Sequence, residues 1–426
     1  MPVSRRSTLA FLLASAAATP AGATEADNRI AALAARADVA AALADIEHQH
    51  DQSIADLIEL TQIPAPPFGE QARGARFAEM LREAGISGVS VDEVGNVIGR
   101  RSGVGRGRRR TLAIIAHLDT VFPIDTDVQV RVEGDTYRAP GIGDNSRGLV
   151  YVLMLARAIR ALQTRGDVLF VGSVGEEGLG DLRGVKHLFR RGGPRIDAAL
   201  VVDGGNPGRI VNVAVGSVRY RVVVRGPGGH SWGAFGLANP HHALGRIITH
   251  FDEAARPYTA NAAVKATYNV GRIGGGTSVN SIPFESWMEV DMRSAEPRAL
   301  VDMEALLRNA AAQGVAEENA DRSTGPELTI ELEPIGVRPA GQADMQSSIV
   351  ANAVAAMARF GIEPEYEASS TDANVPMSLG IPAITVTRGG ASGSSHAPDE
   401  WWRDENSAIA PQIGLLILLA EVGLTA

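Results

Sequence analysis

Four short apolar runs in this chain are each followed by a residue that can bind a metal ion. Residues 112–116 precede His117, residues 168–174 precede Glu176 and Glu177, residues 198–202 precede Asp203, and residues 383–386 precede a Gly/Ser-rich loop that contains His396. Short, bounded apolar runs are typical of buried strands in a parallel sheet. Ligands of open α/β sheets bind just beyond the carboxyl ends of such strands. The sequence therefore predicts a divalent-metal site at this edge, built from histidines and carboxylates because the chain contains no cysteine.

The order of patterns along the chain predicts two domains. From about residue 90 to 203, strand-like runs alternate with helix-like ones such as Leu149–Leu162, which indicates the α/β class. From residue 216 to 337 the strands alternate between polar and apolar residues, and Asn239-Pro240 has the residue types of a helix start. The α/β pattern then returns. We predict a discontinuous domain (residues 24–215 and 338–426) with a largely parallel sheet and helices on both faces, and an α+β domain (residues 216–337) inserted into it.

Composition limits the partners. The formal net charge is −9, and residues 1–23 add two arginines and no acid, so the rest is more acidic still. An acidic chain argues against nucleic acid or an anionic membrane as the main partner. The basic run Arg100–Arg110 is the exception; because it contains glycines and lies between two strand-like segments, we interpret it as a solvated hairpin turn. The apolar run Ile413–Ala420 is too short to span a membrane and predicts a buried helix.

Residues 1–23 have the features of an export signal. Two arginines are followed by an apolar stretch and then by Ala21-Gly22-Ala23, a small-x-small cleavage sequence. We therefore expect a periplasmic or secreted protein. The paired arginines resemble a twin-arginine signal, although Thr8 stands where that motif prefers Phe. Ordinary secretion is the alternative.

Taken singly, the first candidate site residues allow other interpretations. In His117-Leu118-Asp119 the carboxylate is placed to accept a hydrogen bond from the ring of a ligating histidine. Asp144 lies in a glycine-rich turn before a helix, where it can equally be a helix cap. These residues indicate a metal site only when they are taken together with the later candidates, in their order along the chain.

The pair Glu176-Glu177 is more informative. Two adjacent carboxylates after a buried strand are costly to bring together unless a cation is present. Neighbouring side chains also point in different directions, so one can bind a metal while the other acts on water. Asp203 is open to interpretation as a turn residue, and His396 as a surface-loop histidine.

The ordered set resembles the two-zinc exopeptidase and deacylase family that includes glutamate carboxypeptidase, peptidase T, aminoacylase and acetylornithine deacetylase. The similarity covers nearly the whole chain after the signal, and Ser370–Asn374 with Gly380-Ile381-Pro382 is nearest to the peptidase T-like branch. The resemblance implies a catalytic α/β domain that binds two divalent ions. We expect zinc, and cobalt or manganese also suits histidine and carboxylate ligands. The roles it implies are Asp144 as the bridging ligand, His117 and Asp203 on one ion, Glu177 and His396 on the other, Glu176 as general base, and Asp119 as the partner of His117.

The inserted domain would then be the lid and dimerisation domain of this family. The sequence GPGGHS at residues 226–231 matches its histidine loop, which implies that His230 stabilises the transition state from the neighbouring subunit of a homodimer. Asn280 and Arg293 match its substrate-binding positions. Arg293 suits a carboxylate because a guanidinium pairs with it in bidentate fashion. A salt bridge on the lid surface is the alternative for this residue.

These observations predict a dimetal metallopeptidase that hydrolyses the amide bond of short peptides bearing a free carboxylate, with Glu176 as general base. Deacylation of N-acyl amino acids is the main alternative, because the same catalytic group serves both reactions. A two-metal phosphoesterase is less favoured, since the sequence indicates no basic cluster at the site. A catalytically silent binding protein is least favoured, because no metal or base position has been lost.

Overall fold

The computed structural model describes residues 20–425, with side chains from residue 25. The described part of the chain contains eleven α-helices and nineteen strands. The helices are α1 (Pro20–Ala34), α2 (Ala37–His48), α3 (His50–Thr61), α4 (Gln71–Glu83), α5 (Gly148–Ala158), α6 (Arg183–Leu188), α7 (Pro240–Asn261), α8 (Pro297–Asp321), α9 (Ser348–Ala358), α10 (Asn374–Ser378) and α11 (Ile409–Val422). The strands are β1 (Gly88–Val91), β2 (Val97–Arg101), β3 (Thr111–His117), β4 (Arg131–Glu133), β5 (Thr136–Arg138), β6 (Asp167–Ser173), β7 (Ala198–Asp203), β8 (Arg209–Ala214), β9 (Gly216–Arg225), β10 (Gly229–His230), β11 (Ala266–Gly275), β12 (Ser281–Ile282), β13 (Glu285–Ser294), β14 (Thr329–Arg338), β15 (Gly341–Gln342), β16 (Glu365–Ser369), β17 (Ala383–Thr387), β18 (Ala391–Gly393) and β19 (Trp401–Arg403).

The large sheet has the strand order β1-β2-β6-β3-β7-β17-β8-β15, with β16 beside β8. The four apolar runs of the sequence form its centre, β6-β3-β7-β17, in which all neighbours are parallel. These strands are buried almost throughout, as the continuous apolar runs require. The predicted fold class, α/β with a largely parallel sheet, is confirmed. The strands towards the two edges pair mainly antiparallel.

A second, smaller sheet is formed by the middle of the chain. Its strand order is β11-β13-β9-β14, with every pair antiparallel. The helices α7 and α8 pack on it around a hydrophobic core that shares no residue with the core of the large sheet. The Asn239 side chain caps α7 by accepting a hydrogen bond from the His241 N–H, as expected for Asn before Pro. These elements span residues 216–338. The division into two domains, and the work of the inserted one as a lid and dimerisation surface, stay predictions.

The interpretation of Arg100–Arg110 as a hairpin turn is wrong. The strands on either side, β2 and β3, do not pair with each other, because β6 lies between them in the sheet. The segment is a connection across the end of β6, where Arg100 and Arg109 form ion pairs with Asp167. Its arginines are therefore partly neutralised by the sheet itself.

The two ends of the chain carry the remaining predictions. Of the predicted export signal, residues 1–19 lie outside the described residues and residues 20–23 belong to α1; export stays a prediction. The apolar run near the C-terminus forms the buried helix α11, as predicted. Among the described helices, none combines the length and the apolar character that crossing a membrane requires.

Candidate metal centre

The four central strands bring the predicted ligands to one edge of the large sheet. His117 is the last residue of β3 and Asp203 the last residue of β7. Glu176 and Glu177 follow β6 after a two-residue turn, and His396 lies in the loop after β17. Because the carboxyl ends of parallel strands lie at the same edge, residues far apart in the sequence meet there. Glu176, Glu177, Asp203 and His396 line a cavity of about 1030 Å³, and Arg219, Arg293 and Arg338 of the smaller sheet also line it.

Asp144 lies at the centre of this group. Its Oδ1 is 3.2 Å from Nε2 of His117, and its Oδ2 is 3.5 Å from Nε2 of His396. The same nitrogen of His396 is 2.9 Å from Oε1 of Glu177. His117, Asp144 and Glu177 each offer one ligand atom within 4.8 Å of the others. The two oxygens of one carboxylate thus face two different histidines.

Asp119 organises the site in a way that differs from the predicted contact. The Nδ1 atom of His117 lies 2.9 Å from the main-chain oxygen of Asp119, while the Asp119 carboxylate is 3.8 Å away. A carbonyl only accepts, so Nδ1 carries the proton and Nε2 faces Asp144. The carboxylate instead accepts from the N–H groups of Glu176 at 2.9 Å and Glu177 at 2.8 Å. Asp119 therefore fixes both the histidine and the carboxylate pair.

Arg338 holds the other side of Glu176. This arginine, at the end of β14, donates from Nη1 to Oε1 of Glu176 at 3.2 Å and from Nη2 to the Glu176 main-chain oxygen. Both side chains are buried. Burial raises the pKa of Glu176 well above its ordinary value, although the Arg338 charge opposes this shift. The carboxylate is thus positioned from both sheets.

Glu400 supports the turn that carries Asp144. It is fully buried and accepts hydrogen bonds from the N–H groups of Gly141, Gly143 and Asp144 at 2.9, 3.0 and 2.7 Å. Burial and the nearby charge of Asp144 raise the pKa of Glu400 to about 7, against the effect of these donors. The position of Asp144 thus depends on a residue more than 250 positions later in the chain.

The pKa values of the central groups show how the site balances charge. Hydrogen bonds with Asp144 and Glu177 raise the pKa of His396 to about 10. Burial opposes a charged ring at His117, but the surrounding carboxylates outweigh it and hold its pKa well above the ordinary value. Burial also opposes a charged Asp144, yet the two histidines and Arg388 hold its pKa well below the ordinary range. Asp144 therefore keeps its charge because positive groups surround it, whereas burial opposes the charge of Glu176.

Asp203 reaches the centre on the side of Arg388. Its Oδ1 lies 3.6 Å from Nη1 of Arg388, which is also 3.5 Å from Oδ1 of Asp144. Asp203 is outside the tightest group of three ligand atoms. The structure therefore brings Asp203 to the site, with a guanidinium beside it.

These residues fit divalent metal ions. The ligand atoms are imidazole nitrogens and carboxylate oxygens, the set that zinc and similar ions bind in hydrolases. Oδ1 of Asp144 is buried and has no hydrogen-bond partner among the described residues. A buried carboxylate oxygen without a partner is costly unless a ligand satisfies it. The fit is thus supported by an oxygen that faces His117 and Arg388 but accepts no hydrogen bond from either.

The three predicted lid residues do not all reach this cavity. Arg293 lines it and is about half exposed, while its Nε also lies 2.7 Å from Asp291, which is the lid-surface ion pair of the alternative interpretation. His230 and Asn280 are exposed and absent from the cavity lining. They lie close together, because β10 pairs with β12 and the Ser231 N–H donates to the main-chain oxygen of Asn280. Within one chain, therefore, these two residues are not among those that line the cavity with Glu176.

The prediction that no basic cluster lines the site is wrong. Five arginines line the cavity, namely Arg209, Arg219, Arg293, Arg338 and Arg388. Each has a carboxylate within 4.0 Å: Glu367 for Arg209, Asp291 for Arg219 and Arg293, Glu176 for Arg338, and Asp144 and Asp203 for Arg388. The cluster is thus compensated by acidic groups, unlike a surface that is open to a phosphate ester.

Ser231 belongs to a G-x-S-x-G sequence at residues 229–233, a pattern also found in serine hydrolases. In those enzymes the serine lies on a sharp turn between a strand and a helix. Here Ser231 is exposed and follows the two-residue strand β10, with a turn and no helix after it. The sequence match therefore has no nucleophile geometry.

Comparison with known proteins agrees with this geometry. The model of the peptidase family M20/M25/M40 matches residues 113–420. A Pyrococcus abyssi protein, provisionally named LysW-lysine/LysW-ornithine hydrolase, is 31% identical over 183 residues, which are 42% of this chain and 48% of that protein. The chain thus spans about half the length of this curated relative. The uncharacterised Bacillus subtilis protein YqjE is 24% identical over 78% of this chain and 89% of its own length.

Solved structures show the same fold. Aminopeptidase PepT from Bacillus cereus superposes with a TM-score of 0.69 at 20% identity and covers 87% of this chain and 98% of its own. The Bacillus subtilis protein YxeP, described as a dinuclear metal-binding peptidase of the M20 family, has a TM-score of 0.60 at 21% identity over 88% and 99%. At these identities the likeness concerns the fold.

Glu400→Gln tests the support of the Asp144 turn. The substitution places an NH₂ group against main-chain N–H donors, so we expect a loss of unfolding free energy of roughly 1–3 kcal/mol, the cost of leaving a buried donor unsatisfied. Urea denaturation of metal-free protein at pH 8, above the pKa of about 7, measures it. The exposed Glu405→Gln is the matched control. Equal stability of the two variants would contradict the supporting role of Glu400.

Proposed function

The chain belongs to the peptidase family M20/M25/M40, and from this premise we propose that it is a two-metal hydrolase of short peptides bearing a free carboxylate. That it is a metal-dependent hydrolase follows from the family and from the cluster of His117, Asp144 and Glu177. The number of ions, the substrate and the roles of single residues are the proposal. Zinc is the proposed metal, with cobalt or manganese as alternatives.

The position of Asp144 carries this proposal. Its Oδ1 faces His117 and its Oδ2 faces His396. A carboxylate whose two oxygens face separate nitrogen ligands is suited to bridge two ions. His117 and Asp203 would hold one of them, and Glu177 and His396 the other. A dinuclear site is also what the description of YxeP gives for that protein.

The residues of the chain would divide the reaction between them. When bound, the ions would polarise the scissile carbonyl and lower the pKa of a water molecule. Glu176 would take a proton from this water on its carboxylate and deliver it to the nitrogen of the leaving amine. Asp119 would keep Glu176 and the Nδ1–H of His117 in position through the hydrogen bonds described above. Burial of the site would strengthen each of these interactions by excluding water.

Arg293 is proposed to bind the free carboxylate of the substrate. It lines the cavity, and its Nε is the atom that contacts Asp291, so the outer guanidinium nitrogens remain for a ligand. A fork of two N–H groups matches a carboxylate geometrically. A requirement for this carboxylate would restrict the enzyme to the ends of short peptides.

His230 is proposed to stabilise the oxyanion in the site of a second copy of the chain. In one chain it is exposed and outside the cavity, as is its neighbour Asn280. The same loops expose large apolar side chains, with Trp232 88% and Phe235 86% accessible. Apolar groups at this exposure are typical of a protein–protein contact. A two-fold dimer would cover them and add a hydrogen-bond donor to each site.

Deacylation of N-acyl amino acids is the second candidate. It would use the same metals, base and carboxylate clamp, and the name of the Pyrococcus relative describes a hydrolase of LysW-lysine and LysW-ornithine. Assaying zinc-loaded protein on di- and tripeptides beside N-acetyl amino acids separates the two. Faster turnover of peptides supports the proposal. Faster turnover of N-acetyl amino acids would replace it with the second candidate.

Replacing each of the two adjacent glutamates by glutamine tests their proposed roles. Glu176→Gln should retain two metal equivalents while lowering turnover by at least about 10²–10⁴, the usual contribution of general acid–base catalysis. Glu177→Gln should bind only one equivalent, because it removes a proposed ligand. Elemental analysis after dialysis and steady-state kinetics measure both. If Glu176→Gln loses metal and Glu177→Gln does not, Glu176 is the metal ligand and Glu177 the general base.

Subunit mixing tests the proposed work of His230 across the dimer. His230→Ala and Glu176→Gln should each be nearly inactive alone. After subunit exchange about half of the dimers are mixed, and one site in each combines an intact Glu176 with an intact His230, so about a quarter of wild-type activity should return. A mass-tagged subunit confirms that exchange has occurred. Complete exchange without recovered activity would place His230 in its own chain's site, and an active His230→Ala homodimer would place it outside catalysis.

A further inference from the structure

Arg388 lies beside the site without a role in the mechanism above. It directly follows β17, and its side chain is buried. Its guanidinium lies between two glycine backbones: a Cβ at Gly143 or at Gly204 would come within 3.1 Å of its Nη2. Gly143 precedes Asp144, and Gly204 follows Asp203. The chain therefore makes room for a positive charge between two proposed ligands.

Arg388 interacts with the two carboxylates mainly through its charge and not through directional hydrogen bonds. Nη1 is 3.5 Å from Oδ1 of Asp144 and 3.6 Å from Oδ1 of Asp203, too far for good hydrogen bonds. Nε and Nη1 of Arg388 and Oδ1 of Asp144 are all buried without a hydrogen-bond partner among the described residues. Nη2 donates to the Ser392 hydroxyl at 3.2 Å. The guanidinium thus supplies charge to Oδ1 of Asp144, which accepts no hydrogen bond, and to Asp203, whose Oδ1 accepts one from the Gly204 N–H at 2.6 Å.

The other half of the site has no such cation. Among the described residues, the only ion pair of Glu177 is with His396, and no arginine or lysine lies within 4.0 Å of its carboxylate. The ion pair of Arg388 with the bridging residue Asp144 is made to Oδ1, the oxygen that also faces His117. The positive charge of Arg388 is therefore concentrated on the half formed by His117 and Asp203.

We propose that Arg388 is a resident cation that weakens binding of the ion assigned to His117 and Asp203, so that the two ions load in order. This inference rests on the proposed function. A divalent ion that binds between these carboxylates meets a fixed like charge a few ångströms away, and such repulsion is strong in a buried site. The ion held by Glu177 and His396 would bind first and more tightly. In the metal-free protein Arg388 would stabilise the carboxylates in place of the missing ion.

A purely structural role predicts the opposite result. If Arg388 only held Asp144 and Asp203 in position, its loss would distort the ligands and weaken binding of metal. If it is a competing cation, its loss should strengthen binding of one ion while destabilising the metal-free protein. The two roles therefore differ in the sign of the change in metal affinity.

Competition titration of metal-free protein with Zn²⁺ against a chromophoric chelator measures this sign. The wild type should show two ions with separate affinities. Arg388→Met should tighten the weaker one by at least about tenfold, and the melting temperature of the metal-free variant should fall. Arg388→Lys keeps the charge and should leave both affinities within about threefold. Arg293→Met, which removes a cavity arginine whose ion pair is with Asp291, is the matched control for metal affinity.

The outcomes separate this inference from the function on which it rests. Fewer than two ions in the wild type would contradict the two-metal proposal itself. If the wild type binds two ions and Arg388→Met binds both with unchanged or lower affinity, only the proposed role of Arg388 is overturned. If Arg388→Met does not fold, Arg388→Gln removes the charge while keeping a donor for Ser392, and the same change in affinity is required of it.

Discussion

Concentration of buried negative charge at one edge of the large sheet is the constraint on which the site depends. Four parallel strands deliver carboxylates and histidines to the same place, and the cost of burying like charges has to be met there. The protein meets it with cations and N–H donors drawn from distant parts of the chain. Arg338 comes from the smaller sheet, Arg388 is the residue after β17, and the Glu400 carboxylate is in turn held by three main-chain N–H groups.

Asp119 shows how little of this arrangement is visible in a pattern of residue types. Its position two residues after His117 correctly indicated that it belongs to the site, but the atoms it uses were not those expected. The carbonyl contacts the ring, and the carboxylate holds the turn after the neighbouring strand. Spacing along one strand says which residues are close, whereas the register between strands decides which atoms meet. The sequence therefore indicates which residues belong to a site more readily than which of their atoms are in contact.

The fold could be predicted to a larger extent than the surroundings of the site. Buried parallel strands require continuous apolar runs, and the four runs in the sequence are the four central strands. Edge strands have weaker patterns, which is why the segment before β3 was mistaken for a hairpin although β6 separates its two strands. The supporting residues were missed for another reason: Arg338, Arg388 and Glu400 bind no metal themselves, so a search for ligand types passes over them. Arg388 directly follows an apolar run, so its position was the one available signal.

The place of β17 in the sheet has a consequence for biosynthesis. This strand lies between β7 and β8, yet it follows both of them, and the whole smaller sheet, in the chain. During translation the large sheet therefore lacks a central strand until residues 383–387 have left the ribosome, and the loop with His396 comes later still. Strand pairing across such sequence separations is slow and leaves edges exposed in the meantime. A nascent chain can thus complete its smaller sheet first, while its hydrolytic centre stays unassembled until β17 and the loop with His396 have been made.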